Sequence, residues 1–146
     1  IVKVGIKDKI ELELPEAWGG HVSVIAASRP GVAPGWSVHL TSEPLRAPMD
    51  AAQYAMAQGS ILQANLAGYA VAKEFEFADG DRKIPVREYS WKNDDHIIHQ
   101  CQAYFVSAEE AWTLTFSAGP EDYANLRGAI PDLLRGIRPA DVRVLQ

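Results

Sequence analysis

The strongest constraint in this sequence is a run from Tyr69 to Ala118 in which four alternating stretches are joined by connections too short for anything but hairpins. The stretches are "YAVAKEFEFA", "RKIPVREYSWK", "HIIHQCQAYFV" and "AWTLTFSA", and the connections are "DGD", "ND" and "SAEE". Short hairpin connections fix which residues lie opposite each other, and alternation then decides which face each side chain occupies. A turn centred on Ala108-Glu109 sets Phe105 against Trp112, Ala103 against Leu114 and Cys101 against Phe116, which makes an apolar face. The same register sets Tyr104 against Thr113, Gln102 against Thr115 and Gln100 against Ser117 on the reverse side. A turn at Asn93-Asp94 puts Tyr89 beside Ile98 and Arg87 beside Gln100, and one at Asp79-Gly80 puts Glu76 opposite Lys83. Val71, Phe75, Phe77, Ile84 and Val86 then join the apolar side. An antiparallel meander with helices on its apolar side is the expected result.

The flanking segments supply the other elements. "KIELEL" alternates and stops at Pro15, while "HVSVIAAS" and "WSVHLTS" flank "RPGVAPG", whose prolines and glycines mark a turn region. His21, after Gly19-Gly20, is expected to cap a turn. Asp50 followed by Gln53 is a capping-box pattern opening a helix, "AAQYAMAQGSILQANL", that Gly68 stops. Its apolar stripe is Tyr54, Ala55, Ile61, Leu62 and Leu66, with Gly59 weakening the middle by about 1 kcal/mol relative to Ala. A last helix begins near Pro120, carries Tyr123, Leu126, Ile130, Leu133, Leu134 and Ile137 at helical spacing, and ends at Arg138-Pro139. The fold class is therefore α+β: an antiparallel sheet of about seven strands with two helices packed on it, in a single domain spanning residues 1–146.

Charge and motifs narrow the function. With 14 Lys and Arg against 19 Asp and Glu, the net charge is −5, so the basic field needed for phosphate contact is missing and nucleic acid is not an expected partner. The start, "IVKVGIKDKIELELP", has no basic region leading into an apolar stretch, and no window is long enough to span a bilayer. No direct membrane insertion is expected. Cys101 is a lone cysteine in an apolar strand, which fits a small buried hydrophobe. G-x-S-x-G, G-x-x-x-x-G-K, G-x-G-x-x-G and C-x-x-C patterns are all absent, so no common nucleophile, phosphate or dinucleotide motif is present. "DDHIIH" has metal-ligand residue types, but strand alternation points His96 and His99 to opposite faces. No cofactor, metal or catalytic residue is expected.

Across nearly the whole chain, from about residue 10 to 139, "LPEAW", "WSVHLTSEPL" before a helix ending "LAGY", "REYSW", "HQCQAYFV", "AWTLTFSA" and "LLRGIRP" occur in an order that resembles the bacterial DcrB-like domains of the PsbP-like fold. Within that group the resemblance points to the Eag-type chaperones of type VI secretion. These are dimers that hold the N-terminal transmembrane helices of effectors in a groove on their sheet. The resemblance thus implies a non-enzymatic cytoplasmic chaperone or adaptor, a homodimer whose partner is the apolar N-terminal helices of an effector protein. The expected partner-binding face comprises Gln100, Gln102, Thr113, Thr115 and Ser117, rimmed by Tyr89, Ile98 and Tyr104, a mixture of hydroxyls, amides and apolar groups like that used between helices in membranes. Arg87 with Glu74, Glu76 and Lys83 places charges to one side of it. An exported or lipid-anchored envelope domain of the same fold is the alternative, and a small hydrolase or lyase stands third.

Overall fold

A computed structural model describes residues 2–6, 10–15, 23–107 and 109–137. Two strands, β1 (Val2–Ile6) and β2 (Ile10–Leu14), form an antiparallel hairpin of their own. The principal sheet has six antiparallel strands: β3 (Val24–Ala27), β4 (Ser37–Pro44), β5 (Ala70–Asp79), β6 (Arg82–Asn93), β7 (His96–Ser107) and β8 (Glu110–Ala118). Their spatial order is β3-β4-β8-β7-β6-β5. The four-strand meander is as the turns require, and its last strand, β8, returns beside β4, which precedes the first helix. Among the described residues the count in the sheet is six, not seven, because the N-terminal alternation pairs within itself in a separate two-stranded sheet. The expected cap at His21, the Arg138-Pro139 stop and the central turn residue Ala108 lie outside the described residues.

Helix α1 (Ala51–Asn65) opens with the expected capping box: Gln53 N donates to Asp50 Oδ1 at 2.8 Å, and Asp50 N donates to Gln53 Oε1 at 2.9 Å. Two of the four N-terminal amide donors that a helix leaves open, or their neighbours, are thereby satisfied locally. Gly68 follows in the left-handed region at φ +63°, where a Cβ would be unfavourable. The C-terminal helix is broken. Helix α2 (Pro120–Leu126) passes through a 3₁₀ turn at Arg127–Ala129 into α3 (Ile130–Gly136), with Pro131 in the first turn of α3, where its missing N–H costs no helical bond of α3.

The β7-β8 register agrees pair for pair with the expectation. The two earlier hairpins turn one residue later. Asn93 pairs with His96 around an Asp94-Asp95 turn, with Asp94 at φ +53°, and Asp79 pairs with Arg82 around Gly80-Asp81, with Gly80 at φ +61°. Each shift moves the partner by two positions, so faces survive while neighbours change: Arg87 faces Gln102, Tyr89 faces Gln100, Trp91 faces Ile98, and Glu76 faces Pro85. Val71 is on the face opposite to that expected. A bulge between Val71 and Lys73 adds one residue, so Val71 pairs with Tyr89 and stands 47% exposed, whereas Phe75 and Phe77 keep the expected side.

The helices do not share one side. The back face of the sheet carries Ile84, Val86, Cys101, Ala103, Leu114 and Phe116, all buried, and Tyr123, Ile130 and Leu134 of α2 and α3 close over them. Trp112 points the same way but is only half-buried, outside that cluster. Helix α1 instead lies on the front face, where Tyr54 and Ala55 pack with Tyr104 and Ala111. Its expected stripe is accordingly narrower: Ile61 is 51% exposed. The front face is thus partly roofed, and this decides where a site can be.

Candidate functional site

Two strand connections build the front face. Alternation puts Gln100, Gln102 and Tyr104 of β7 beside Thr113, Thr115 and Ser117 of β8, and the β4-β8 pairing extends the same face through Ser37–Ser117, His39–Thr115 and Thr41–Thr113. At the edge, Ile25 of β3 pairs with His39 and is 67% exposed. The floor is therefore rich in hydroxyl and amide groups, with apolar side chains at its margins.

These polar groups are already organised. Arg87, 7% exposed, donates from Nη1 to Tyr104 Oη at 2.7 Å and from Nε to Glu74 Oε1 at 3.1 Å. Tyr104 Oη donates to Gln102 Oε1 at 2.7 Å, and Gln102 Nε2 donates to Thr115 Oγ1 at 3.1 Å. A second relay runs from Trp91 Nε1 to Gln100 Oε1 at 2.9 Å and from Gln100 Nε2 to Ser117 Oγ at 2.8 Å. Each amide is held by both its ends, so its orientation is set before any partner arrives.

A recess of about 310 Å³ opens where α1 leaves the floor. Gln102, Thr113, Thr115 and Thr41 line it from the sheet, with Ser42 and Glu43 of β4, and Tyr54 and Gln58 line it from α1. Tyr54 Oη donates to Glu43 Oε1, and Gln58 Nε2 reaches the same oxygen at 3.4 Å. Burial and then the Glu43 carboxylate push the Tyr54 pKa up to about 12, which keeps the phenol a donor at any ordinary pH.

The expected site residues divide. Gln100, Gln102, Thr115, Ser117 and Ile98 are half-buried on the front face, and Gln102, Thr113 and Thr115 meet in the recess. Tyr104 and Tyr89 are not rim residues. Tyr104 is 1% exposed beneath α1, and Tyr89 is 2% exposed, its ring 5.3 Å from that of Tyr69. Arg87 is likewise inside, because Gly59 of α1 lies directly against its guanidinium. Sequence reasoning missed Thr41, Glu43, Tyr54 and Gln58. The odd positions of "SVHLTSE" are all polar, which signals one wet face, but the β4-β8 pairing crosses a helix and has no short turn to fix it.

The back face carries a second ionic cluster. Glu88, 4% exposed, accepts from Tyr123 Oη at 2.7 Å and from Arg127 Nε and Nη2 at 3.0 and 2.9 Å. Burial alone would raise its pKa, but the hydrogen bonds from Arg127 and Tyr123 outweigh burial and hold the carboxyl below the usual range. His96 and His99 fall at odd separation in β7 and so on opposite faces, with the His99 ring 5.5 Å from that of Tyr123. Among the described residues no group of three or more His, Cys, Asp or Glu is placed to hold a metal, and no described helix is long and apolar enough to cross a membrane.

The DcrB family model matches residues 10–135. The chain belongs to the DcrB family. Its fold is also that of PA94 from Pseudomonas aeruginosa, put forward as a regulator, at TM-score 0.76, 16% identity, and 95% and 96% coverage of the two chains. LpqN of Mycobacterium tuberculosis, involved in cell envelope biogenesis, matches at TM-score 0.51 and 13% identity over 77% of this chain and 80% of its own. The cyanobacterial PsbP protein CyanoP from Synechocystis sp. PCC 6803 matches at TM-score 0.51 and 12% identity over 88% and 85%. The PsbP-like fold of this DcrB-family chain is thereby established. No curated protein matches the sequence.

Proposed function

We propose that this DcrB-family domain is a non-enzymatic chaperone or adaptor that binds an apolar helical segment on the front face of its sheet, the client being the N-terminal transmembrane helices of a type VI secretion effector. The observation behind this reading is the recess itself. Preoriented amides and hydroxyls, Gln58, Gln102, Thr113 and Thr115, sit between a helix and an open stretch of sheet whose margins are apolar. A membrane helix exposes Leu-like surface together with small and polar residues that seek hydrogen bonds once water is gone. The neutral donors and acceptors of the floor can satisfy those residues, Glu43 being the one charged group of the recess lining, and α1 supplies a wall to pack against. The helix itself has no charged residue between Ala51 and Asn65, so it opposes no apolar neighbour electrostatically.

The reading places the domain in the cytoplasm as a dimer, two faces clasping a helix pair that one face would leave half in water. Co-expression with the first 60 or so residues of an effector encoded beside the gene, followed by affinity capture and light scattering, tests it. A soluble complex containing two copies of this chain is expected; a segment that aggregates equally with and without the chain contradicts it. An accessory domain of the cell envelope is the second reading, favoured by the likeness in fold to LpqN, itself involved in cell envelope biogenesis. Capture of an envelope protein and failure to solubilise an effector segment would select it.

A further inference from the structure

Among the described residues Glu43 is the one formally charged side chain lining the recess, amid neutral hydroxyl and amide groups. Both of its neutral donors, Tyr54 Oη and Gln58 Nε2, converge on Oε1. They fix the direction of the carboxylate, and among the described residues Oε2 has no hydrogen bond or ion pair. Arg87, the buried cation on this face among the described residues, is committed to Glu74 and Tyr104, and α1 carries no cation.

In the free protein Glu43 is exposed, so its carboxylate is open to water. Covering the recess removes that water, and an ionised carboxylate taken out of water without a countercharge is costly. A purely apolar occupant would therefore be opposed by Glu43, whereas one that brings a cation to Oε2 would be anchored by it. Resting on the helix-binding reading above, we infer that Glu43 pairs with a Lys, Arg or terminal ammonium at the end of the bound apolar segment. The pair fixes the direction in which that segment lies along the groove. Neutral groups of the floor hold the middle of the segment and the carboxylate holds its charged end.

The probe is a soluble carrier protein bearing a 20-residue Leu/Ala/Ser segment flanked either by two Lys or by two Gln, with affinity for the purified chain measured by fluorescence anisotropy. The Lys-flanked segment should bind roughly five- to tenfold more tightly, between the values for exposed and for fully buried ion pairs. Glu43→Gln should abolish that preference, and Glu43→Lys should reverse it toward a Glu-flanked segment. Urea unfolding of each variant separates lost pairing from lost fold. Equal binding of both segments, or a preference that persists in Glu43→Gln, overturns the inference and leaves helix binding standing. Binding of neither segment overturns both.

Discussion

Glycine in the middle of an exposed helix is ordinarily a defect that Ala repairs, with a gain of about 1 kcal/mol. Gly59 should behave in the opposite way. A Cβ built there lies 2.6 Å from Arg87 Nη2, 2.8 Å from Cζ and 3.1 Å from Nη1, where carbon contacts normally sit near 3.5 Å or beyond. The far end of a surface arginine would simply move aside. Arg87 is 7% exposed and bonded to both Tyr104 and Glu74, so it has nowhere cheap to go. Shifting α1 outward amounts to overpacking, about 1–3 kcal/mol; swinging Arg87 away forfeits a charged hydrogen bond, roughly 1.5–3 kcal/mol. Subtracting the propensity gain leaves Gly59→Ala less stable by about 1 kcal/mol, within a range of about 0 to 2. In an Arg87→Met background the obstacle is gone, and the same Ala should stabilise by about 1 kcal/mol. Urea unfolding of the four proteins gives the cycle, with a coupling of about 2 kcal/mol expected between the two sites. Stabilisation by Gly59→Ala in the otherwise unchanged chain would refute the close seating of α1 on Arg87.

Three further outcomes follow from the back face. Burial pushes the Cys101 thiol up to about 12, so an aromatic disulfide reagent at pH 7.5 should leave the native chain unlabelled and label it stoichiometrically in denaturant; fast native labelling would place Cys101 at the surface. Because Glu88 titrates below an unfolded carboxyl, its contribution to stability is complete above about pH 4.3 and disappears as pH falls through the lowered native value. The urea midpoint should therefore drop on the acid side in the native sequence and drop less steeply in Glu88→Gln, and parallel curves would contradict the Arg127 and Tyr123 assignment. Leu134, 1% exposed under the C-terminal helices, should cost about 2–5 kcal/mol when truncated to Ala, and a loss under 1 kcal/mol would mean that α3 is not seated on the sheet.

What was legible in the sequence followed the reach of local rules. The β7-β8 register came out pair for pair because alternation and a short connection act together over neighbouring residues. The capping box of α1 is equally local, three residues long. In the two earlier hairpins "DGD" and "ND" leave two choices of central residues, and the positive φ of Gly80 and Asp94 takes the later one. A shift of two positions preserves faces, which is why alternation gives Gln100 the right side while the expected turn gives it Arg87 in place of Tyr89 as its β6 partner. Choosing the face for α1 needed information that periodicity does not hold. A polar strand face reads as solvated, yet here Arg87, Tyr104 and Gln102 satisfy one another and can be roofed by a helix at the one point where a glycine lets it approach. That same roof turns an open wet face into a recess and brings in Glu43, Tyr54 and Gln58 from elements distant in sequence.

The central claim is that one face of the sheet takes the client and the other does not. Methyl-labelled chain, with Ile, Met and Thr side chains visible, can be titrated with the Lys-flanked apolar segment and followed by two-dimensional NMR. Thr41, Thr113, Thr115, Ile25 and Ile98 should shift or broaden, while Ile84 and Ile130 on the back face stay where they are. Perturbation confined to the back-face methyls, with the threonines of the recess unmoved, would contradict the account.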